Sequence, residues 1–205
     1  MEEQPRSPLP PGRSRGRPSD KSIDLALTEA ALQEFTERGY HAMSMESIAA
    51  RAGVSKVSLY RRWSSKPAIV AEVFRYLSEA APPKDHGSFE ADIRALLDES
   101  IGTSGAASAG KALMRTMGEI AGNPELLALY RTQLLAPRLE QLRGLVERSR
   151  ARGELRADMP TDIACAMIAG PLFLYYLALL AEAEVNTSRD LVEQLTRAII
   201  GGITQ

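Results

Sequence analysis

Residues 44–60 carry the strongest constraint on the fold, because two short apolar-striped segments meet there at a single glycine. Met45, Ile48, Ala49 and Ala52 recur at the spacing of one face of an amphipathic helix, and Ser44 stands before them as an N-cap. Gly53 then breaks the helix, since glycine adopts a positive φ without a Cβ clash. Ser55 opens a second short helix whose buried face is Leu59 and Trp63. Ala49 is small enough for the two helices to cross closely, and Val54 plugs the corner between them. Such a pair forms a helix-turn-helix, the unit that places its second helix in the major groove of DNA.

The exposed positions suit that docking. Lys56, Val57 and Ser58 stand at the N-terminal end of the second helix. An ammonium there reaches guanine O6 or N7, a valine meets a thymine methyl, and a serine hydroxyl bonds a base edge or a phosphate. Tyr60, Arg61 and Arg62 follow one turn later and match phosphates and groove walls. Lys66 begins the next helix, where its ammonium and the helix N-terminus both attract a phosphate. Ser44 and Ser55 are caps first and contacts second. The expected contact surface is therefore Ser44, Ser55, Lys56, Val57, Ser58, Tyr60, Arg61, Arg62 and Lys66.

Taken together, Gly39-Tyr40, Ser44, Ile48-Ala49, Ala52-Gly53-Val54-Ser55, Leu59-Tyr60, Trp63 and Ser65-Lys66 resemble the DNA-binding domain of the TetR family of repressors, over about residues 20–70. Trp63 stands where that family more often has Phe, and Arg61-Arg62 where other polar or aromatic residues are frequent. The resemblance implies an all-α homodimer of nine or ten helices per subunit, reading a pseudo-palindromic operator in successive major grooves. Carried over by position, Lys56, Val57, Ser58, Tyr60, Arg61, Arg62 and Lys66 match the family's DNA-contacting surface. It further implies a small-molecule effector that alters the spacing of the two recognition helices through the helix at 65–80.

The rest of the chain also reads as helix, with no strand-like alternation. A first helix runs from a cap at Ser19 to about Arg38, with Leu27, Ala31 and Phe35 on one face and Gly39 as its stop. Beyond the connecting helix, helices are expected at about 88–103, 107–122, 124–136, 138–152, 160–183 and 187–202, punctuated by Gly105, Asn123-Pro124, Pro137, Gly153 and Asn186. The expected organisation is a basic tail over 1–18, a DNA-binding domain over 19–66 and a ligand-binding and dimerisation domain over 67–205. The tail has five prolines and the run Gly12-Arg13-Ser14-Arg15-Gly16-Arg17; it is either a solvated segment or an arm that approaches phosphates or the minor groove.

Charge supports local rather than general attraction to nucleic acid. Residues 1–66 hold 11 Lys and Arg against 8 Asp and Glu, whereas residues 67–205 hold 14 against 18. The single cysteine, Cys165, excludes a disulfide framework and a cysteine-based zinc site, and fits a cytoplasmic setting. His41 and His86 lack metal-ligand spacing, so neither metal nor cofactor is expected. The apolar run Ile163–Ala181 reads as a helix buried in protein rather than a membrane span. Asp98-Glu99 is a solvated pair rather than a catalytic one, and nothing else reads as an active site.

Two surfaces of the second domain are assigned from periodicity. Ala164, Ile168, Leu172 and Tyr176, with Leu191, Leu195 and Ile199, form stripes on the last two helices that are expected to pair across a two-fold axis. Met114, Met117, Tyr130, Met167, Phe173 and Tyr175 are expected to line a pocket for an apolar or amphipathic effector. A DNA-binding or protein-interaction module without a ligand, or an activator, are the competing readings.

Overall fold

A computed structural model describes residues 20–79, 84–102, 104–181 and 189–204. The expected tail, the Ser19 cap and Asn186 lie outside the described residues. The helices are α1 (Asp20–Ala42), α2 (Met45–Arg51), α3 (Lys56–Tyr60), α4 (Lys66–Glu79), α5 (Phe89–Gly102), α6 (Ser104–Gly122), α7 (Pro124–Tyr130), α8 (Ala136–Ala151), α9 (Thr161–Leu180) and α10 (Arg189–Ile203). A π-helical turn, Arg131–Leu135, joins α7 to α8. Among the described residues there is no strand, only an isolated bridge between Leu155 and Thr204. The fold is all-α, as expected.

Three local departures have physical causes. Gly39 does not end α1 outright. Its backbone breaks to φ 79° and ψ 170°, and one more turn, Tyr40–Ala42, follows the break. Gly105, expected as punctuation, lies inside α6, where a glycine costs only about 1 kcal/mol relative to alanine. Pro137 does not separate two helices. Proline offers no N–H to the carbonyl four residues back, and its ring crowds that carbonyl. The helix widens just before it, and the Ala136 amide reaches the carbonyl of Arg131, five residues back.

Two apolar cores organise the helices. The first gathers Leu27, Ala31 and Phe35 of α1, Ile48 of α2, Leu59 of α3, Ile69, Val70, Val73 and Phe74 of α4, and then Ile120, Leu126 and Leu134. Phe74 stands edge-on to Phe35 at 5.7 Å and to Tyr130 at 5.8 Å. The second core holds Phe89, Ile93 and Leu97 of α5, Leu145 and Val146 of α8, Ala164 and Ile168 of α9, and Val192, Ile199 and Ile203 of α10. The end of α4 is tied to α8: Arg138 donates to the Leu77 carbonyl at 2.7 Å, and Gln141 to the Ser78 carbonyl at 3.0 Å.

A buried acid fixes α2 on α1. The Glu34 side chain is 2% exposed and takes the Arg51 Nε at 2.7 Å and an Arg38 guanidinium nitrogen at 3.4 Å. Arg51 also pairs with Glu37 at 2.6 Å. Burial raises the Glu34 pKa, but the Ser47 hydroxyl and the Arg51 and Arg38 guanidinium groups more than reverse this, so its carboxyl titrates below the usual range. A carboxyl depressed in the folded state adds stability above its unfolded pKa, and that stability is lost as pH falls through the folded value. Urea midpoints should therefore fall with acidification below about pH 4.3, and Glu34→Gln should flatten that limb. Parallel pH curves for the two proteins would refute this role.

Candidate nucleic-acid interface

The turn between α2 and α3 closes through backbone bonds. Ala52 donates to the Ile48 carbonyl at 2.9 Å, Gly53 to Ala50 at 3.2 Å and Val54 to Ala49 at 3.0 Å. Gly53 sits at φ 66°, the left-handed conformation that its lack of a Cβ permits. Both helices start on serine caps. Ser44 and Ser47 bond each other's backbone reciprocally at 3.0 and 3.1 Å, a capping box in which serine takes the place of the usual Glu or Gln. Ser55 Oγ accepts from the Ser58 amide at 3.2 Å.

The α3 surface presents Lys56, Val57, Tyr60 and Arg61 to solvent. Val57 is 77% exposed, an unusual position for a β-branched apolar side chain that buries nothing within its own chain. Lys56 pairs with Glu46 at 3.4 Å, across the turn from α2. Backbone bonding at the Glu46 carboxylate, then Lys56, holds it below its usual pKa.

Other expected contact residues are engaged inside the fold. Arg62 is only 11% exposed. Its guanidinium pairs with Asp20 at 2.7 Å and with Asp24, both on α1, and donates to the Ser58 carbonyl and hydroxyl at 3.1 Å. It ties the recognition helix to the first turns of α1. Lys66 Nζ donates to the Tyr40 carbonyl at 2.8 Å and the Met43 carbonyl at 3.3 Å, and lies 4.4 Å from the centre of the Tyr40 ring. Ser44 is half-buried. Apart from Ser58, four residues before Arg62, the partners that occupy Arg62 and Lys66 come from 23 to 42 residues away, a distance at which sequence periodicity carries no signal.

The C-terminal assignments are redrawn. Ala164, Ile168 and Ile199, expected at a subunit seam, are buried within the one chain. Leu172, Tyr176, Leu191 and Leu195 pack against the same core, and the Tyr176 hydroxyl donates to the Ser100 carbonyl at 3.0 Å. The face that α9 leaves outward carries Ile163, Phe173, Leu174 and Leu177, with Phe173 56% and Leu174 64% exposed. Because α9 is apolar all round, its sequence carries no preferred side, and the stripe chosen from spacing was the inward one. By length and composition α9 would also pass as a membrane span. Phe173 is thereby corrected from pocket to surface. Of the other expected pocket residues, Met117 and Tyr130 pack on the first core, Met167 and Tyr175 belong with the second, and Met114 is half-buried on α6.

Comparison with known proteins agrees with this anatomy. Residues 27–73 match the family described as bacterial regulatory proteins, tetR family, and residues 83–197 match the tetracyclin repressor-like C-terminal domain. The HTH-type transcriptional regulator YdeS of Bacillus subtilis is 33% identical over 181 residues, covering 87% of this chain and 90% of YdeS. The HTH-type transcriptional activator FasR of Mycolicibacterium smegmatis is 60% identical over 57 residues, 27% of this chain and 26% of FasR. The solved structure of the transcriptional regulator FadR from Bacillus subtilis, in complex with stearoyl-CoA, shares the fold with a TM-score of 0.70 at 18% identity, over 87% of this chain and 98% of that one.

The two adjacent arginines after α3 differ in kind. Arg62→Ala should lower the urea midpoint, whereas Arg61→Ala should leave it unchanged. Equal effects of the two substitutions would mean that the Arg62 pairs contribute nothing to the fold.

Proposed function

This chain belongs to the TetR family of bacterial transcriptional regulators, and we propose that it binds a pseudo-palindromic operator as a homodimer and releases it when a small molecule enters the C-terminal domain. The observation that carries the DNA reading is the outward rank Lys56, Val57, Tyr60 and Arg61 on a short helix whose inward residues, Leu59 and Arg62, fasten it to the head. Val57 supports a thymine-methyl contact, Lys56 a guanine contact, and Tyr60 and Arg61 backbone contacts. Ser44 and Ser55, at the helix caps, and Ser58, in the first turn of α3, join them. Arg62 and Lys66 serve by holding the recognition helix and the α1–α4 junction in place.

A homodimer is supported by the outward face of α9. Ile163, Phe173, Leu174 and Leu177 are exposed along α9, an apolar face that a second copy would cover. The outward side of α10 is polar or small, with Glu193 and Arg197 paired at 2.8 Å, so α9 contributes the apolar part of the contact. An effector is supported by analogy with FadR, which was solved with stearoyl-CoA. We propose an apolar or amphipathic ligand held among side chains that include Met114, Met117 and Tyr130, and a cytoplasmic site of action. Repression is the working sign of regulation. The 57-residue stretch shared with the activator FasR favours activation as the second reading.

Selection of genomic fragments with the purified protein at physiological salt should recover one pseudo-palindrome with half-sites about one helical turn, roughly 34 Å, apart. Recovery of no preferred sequence would sink the operator reading. Lys56→Ala should relax discrimination at one base step by about tenfold or more, while Arg61→Ala should weaken all duplexes alike and lower the salt slope by about one. Leu174→Asp should convert a sedimenting dimer to a folded monomer; a dimer that survives this change would move the interface away from α9.

A further inference from the structure

One polar contact from the C-terminal region enters the DNA-binding head at a position where the head cannot complete itself. The backbone break at Gly39 starts a new helical turn, Tyr40–Ala42. The first amides of a helical turn have no partner within it and are ordinarily satisfied by the side chain of the preceding residue. Here that residue is glycine, which has none. The acceptor comes instead from α6: Glu119 Oε2 takes the Tyr40 amide at 2.5 Å and the His41 amide at 3.4 Å. A Cβ on residue 39 would collide with that carboxylate, so the glycine both creates the need and leaves the room for it.

The same residue is held from its other side. Lys66, the first residue of α4, donates to the Tyr40 carbonyl and covers the Tyr40 ring. Tyr40 is thus gripped at its N–H by α6 and at its carbonyl by α4. Three residues later the chain reaches Met43, whose carbonyl Lys66 also takes, and then Ser44, the cap of α2. The lead into α2–α3 is therefore held by two helices outside it, in addition to the Arg51–Glu34 and Arg62–Asp20 pairs that fasten α2 and α3 to α1. Ile120, next to Glu119, is buried in the core that α6 shares with α1 and α4, so the carboxylate sits on a fixed support.

We infer that Glu119 is a positioning residue for DNA recognition: its carboxylate caps the Tyr40–His41 turn and so sets the orientation in which the helix-turn-helix is presented. It touches no DNA. Its removal leaves each helix intact and loosens the angle between the head and the rest. A misoriented head still meets phosphates through its charge, but it no longer meets two half-sites in register. Specific binding should therefore fall more than non-specific binding.

The test compares wild type, Glu119→Ala and Glu119→Gln by two measurements. The first is amide hydrogen exchange on the whole protein without DNA, which is independent of any operator. In Glu119→Ala, the Tyr40 and His41 amides should exchange about tenfold faster or more, the change that loss of a charge-assisted hydrogen bond supports, with α8 and α9 unchanged. Glu119→Gln keeps an acceptor without the charge and should lie between. The second measurement is affinity for the selected fragment relative to a scrambled duplex of the same length. The ratio should fall several-fold in Glu119→Ala and recover most of the way in Glu119→Gln, which simple destabilisation would not produce. Unchanged exchange at Tyr40 and His41 overturns the cap. Faster exchange with an unchanged ratio overturns the positioning role. Should Glu119→Ala fail to fold, the same two readings on Glu119→Gln decide, with exchange above and the ratio below wild type as the expected result.

Discussion

The contact on which the remainder rests is the stack of Phe35, Phe74 and Tyr130, edge to face, in a core shared by the DNA-binding helices and by α6, α7 and the π-turn. Helices α2 and α3 are seven and five residues long, far below the length at which an isolated helix is stable in water. They exist because α2 packs on α1 and α3 on α2, with Ile48, Ala49 and Leu59 buried in the core that α1 and α4 also line. Leu126 and Leu134, from α7 and the π-turn that pack on α4, belong to the same core. Head and C-terminal region are thus not two bodies joined by a linker. They share one apolar interior.

Polar groups then determine where within that interior the pieces sit. Arg51 on Glu34 orients α2, Arg62 on Asp20 and Asp24 orients α3, and Lys66 on the Tyr40 and Met43 carbonyls joins α4 to the end of α1. Apolar packing tolerates small slides between helices, whereas a guanidinium fork or a backbone carbonyl accepts one direction. The division of labour among the cations around α3 follows from this. Those that point inward are consumed in holding the helix, and those that point outward, Lys56 and Arg61, remain on the surface presented to a partner.

The helix-turn-helix was legible in the chain because its determinants are local. The stripe through Met45, Ile48 and Ala49, the positive-φ Gly53 and the serine caps at 44 and 55 all act within a few residues of one another. The split between Arg61 and Arg62 was not legible, because it depends on carboxylates on α1 that approach only in the folded state. The role of Glu119 is illegible in the sequence for the same reason, since it lies 79 residues from the Tyr40 amide that it takes. The side of α9 was hidden differently. A helix rich in Ala, Leu and Ile on every face has no amphipathic signal, so the inward stripe through Ala164 and Ile168 and the outward one through Phe173 and Leu174 look alike until α5, α6, α8 and α10 take up one of them.

By itself, then, the sequence determined that the chain is helical, where a compact helix-turn-helix begins and turns, and which residue types stand on its recognition helix, since these follow from periodicity, caps and glycine within single turns. Only the tertiary structure decided which of those side chains face outward, which surface of α9 is left uncovered and how α6 reaches the head. Those outcomes depend on contacts between residues far apart in the chain, whose meeting is set by the packing of whole helices rather than by any local preference.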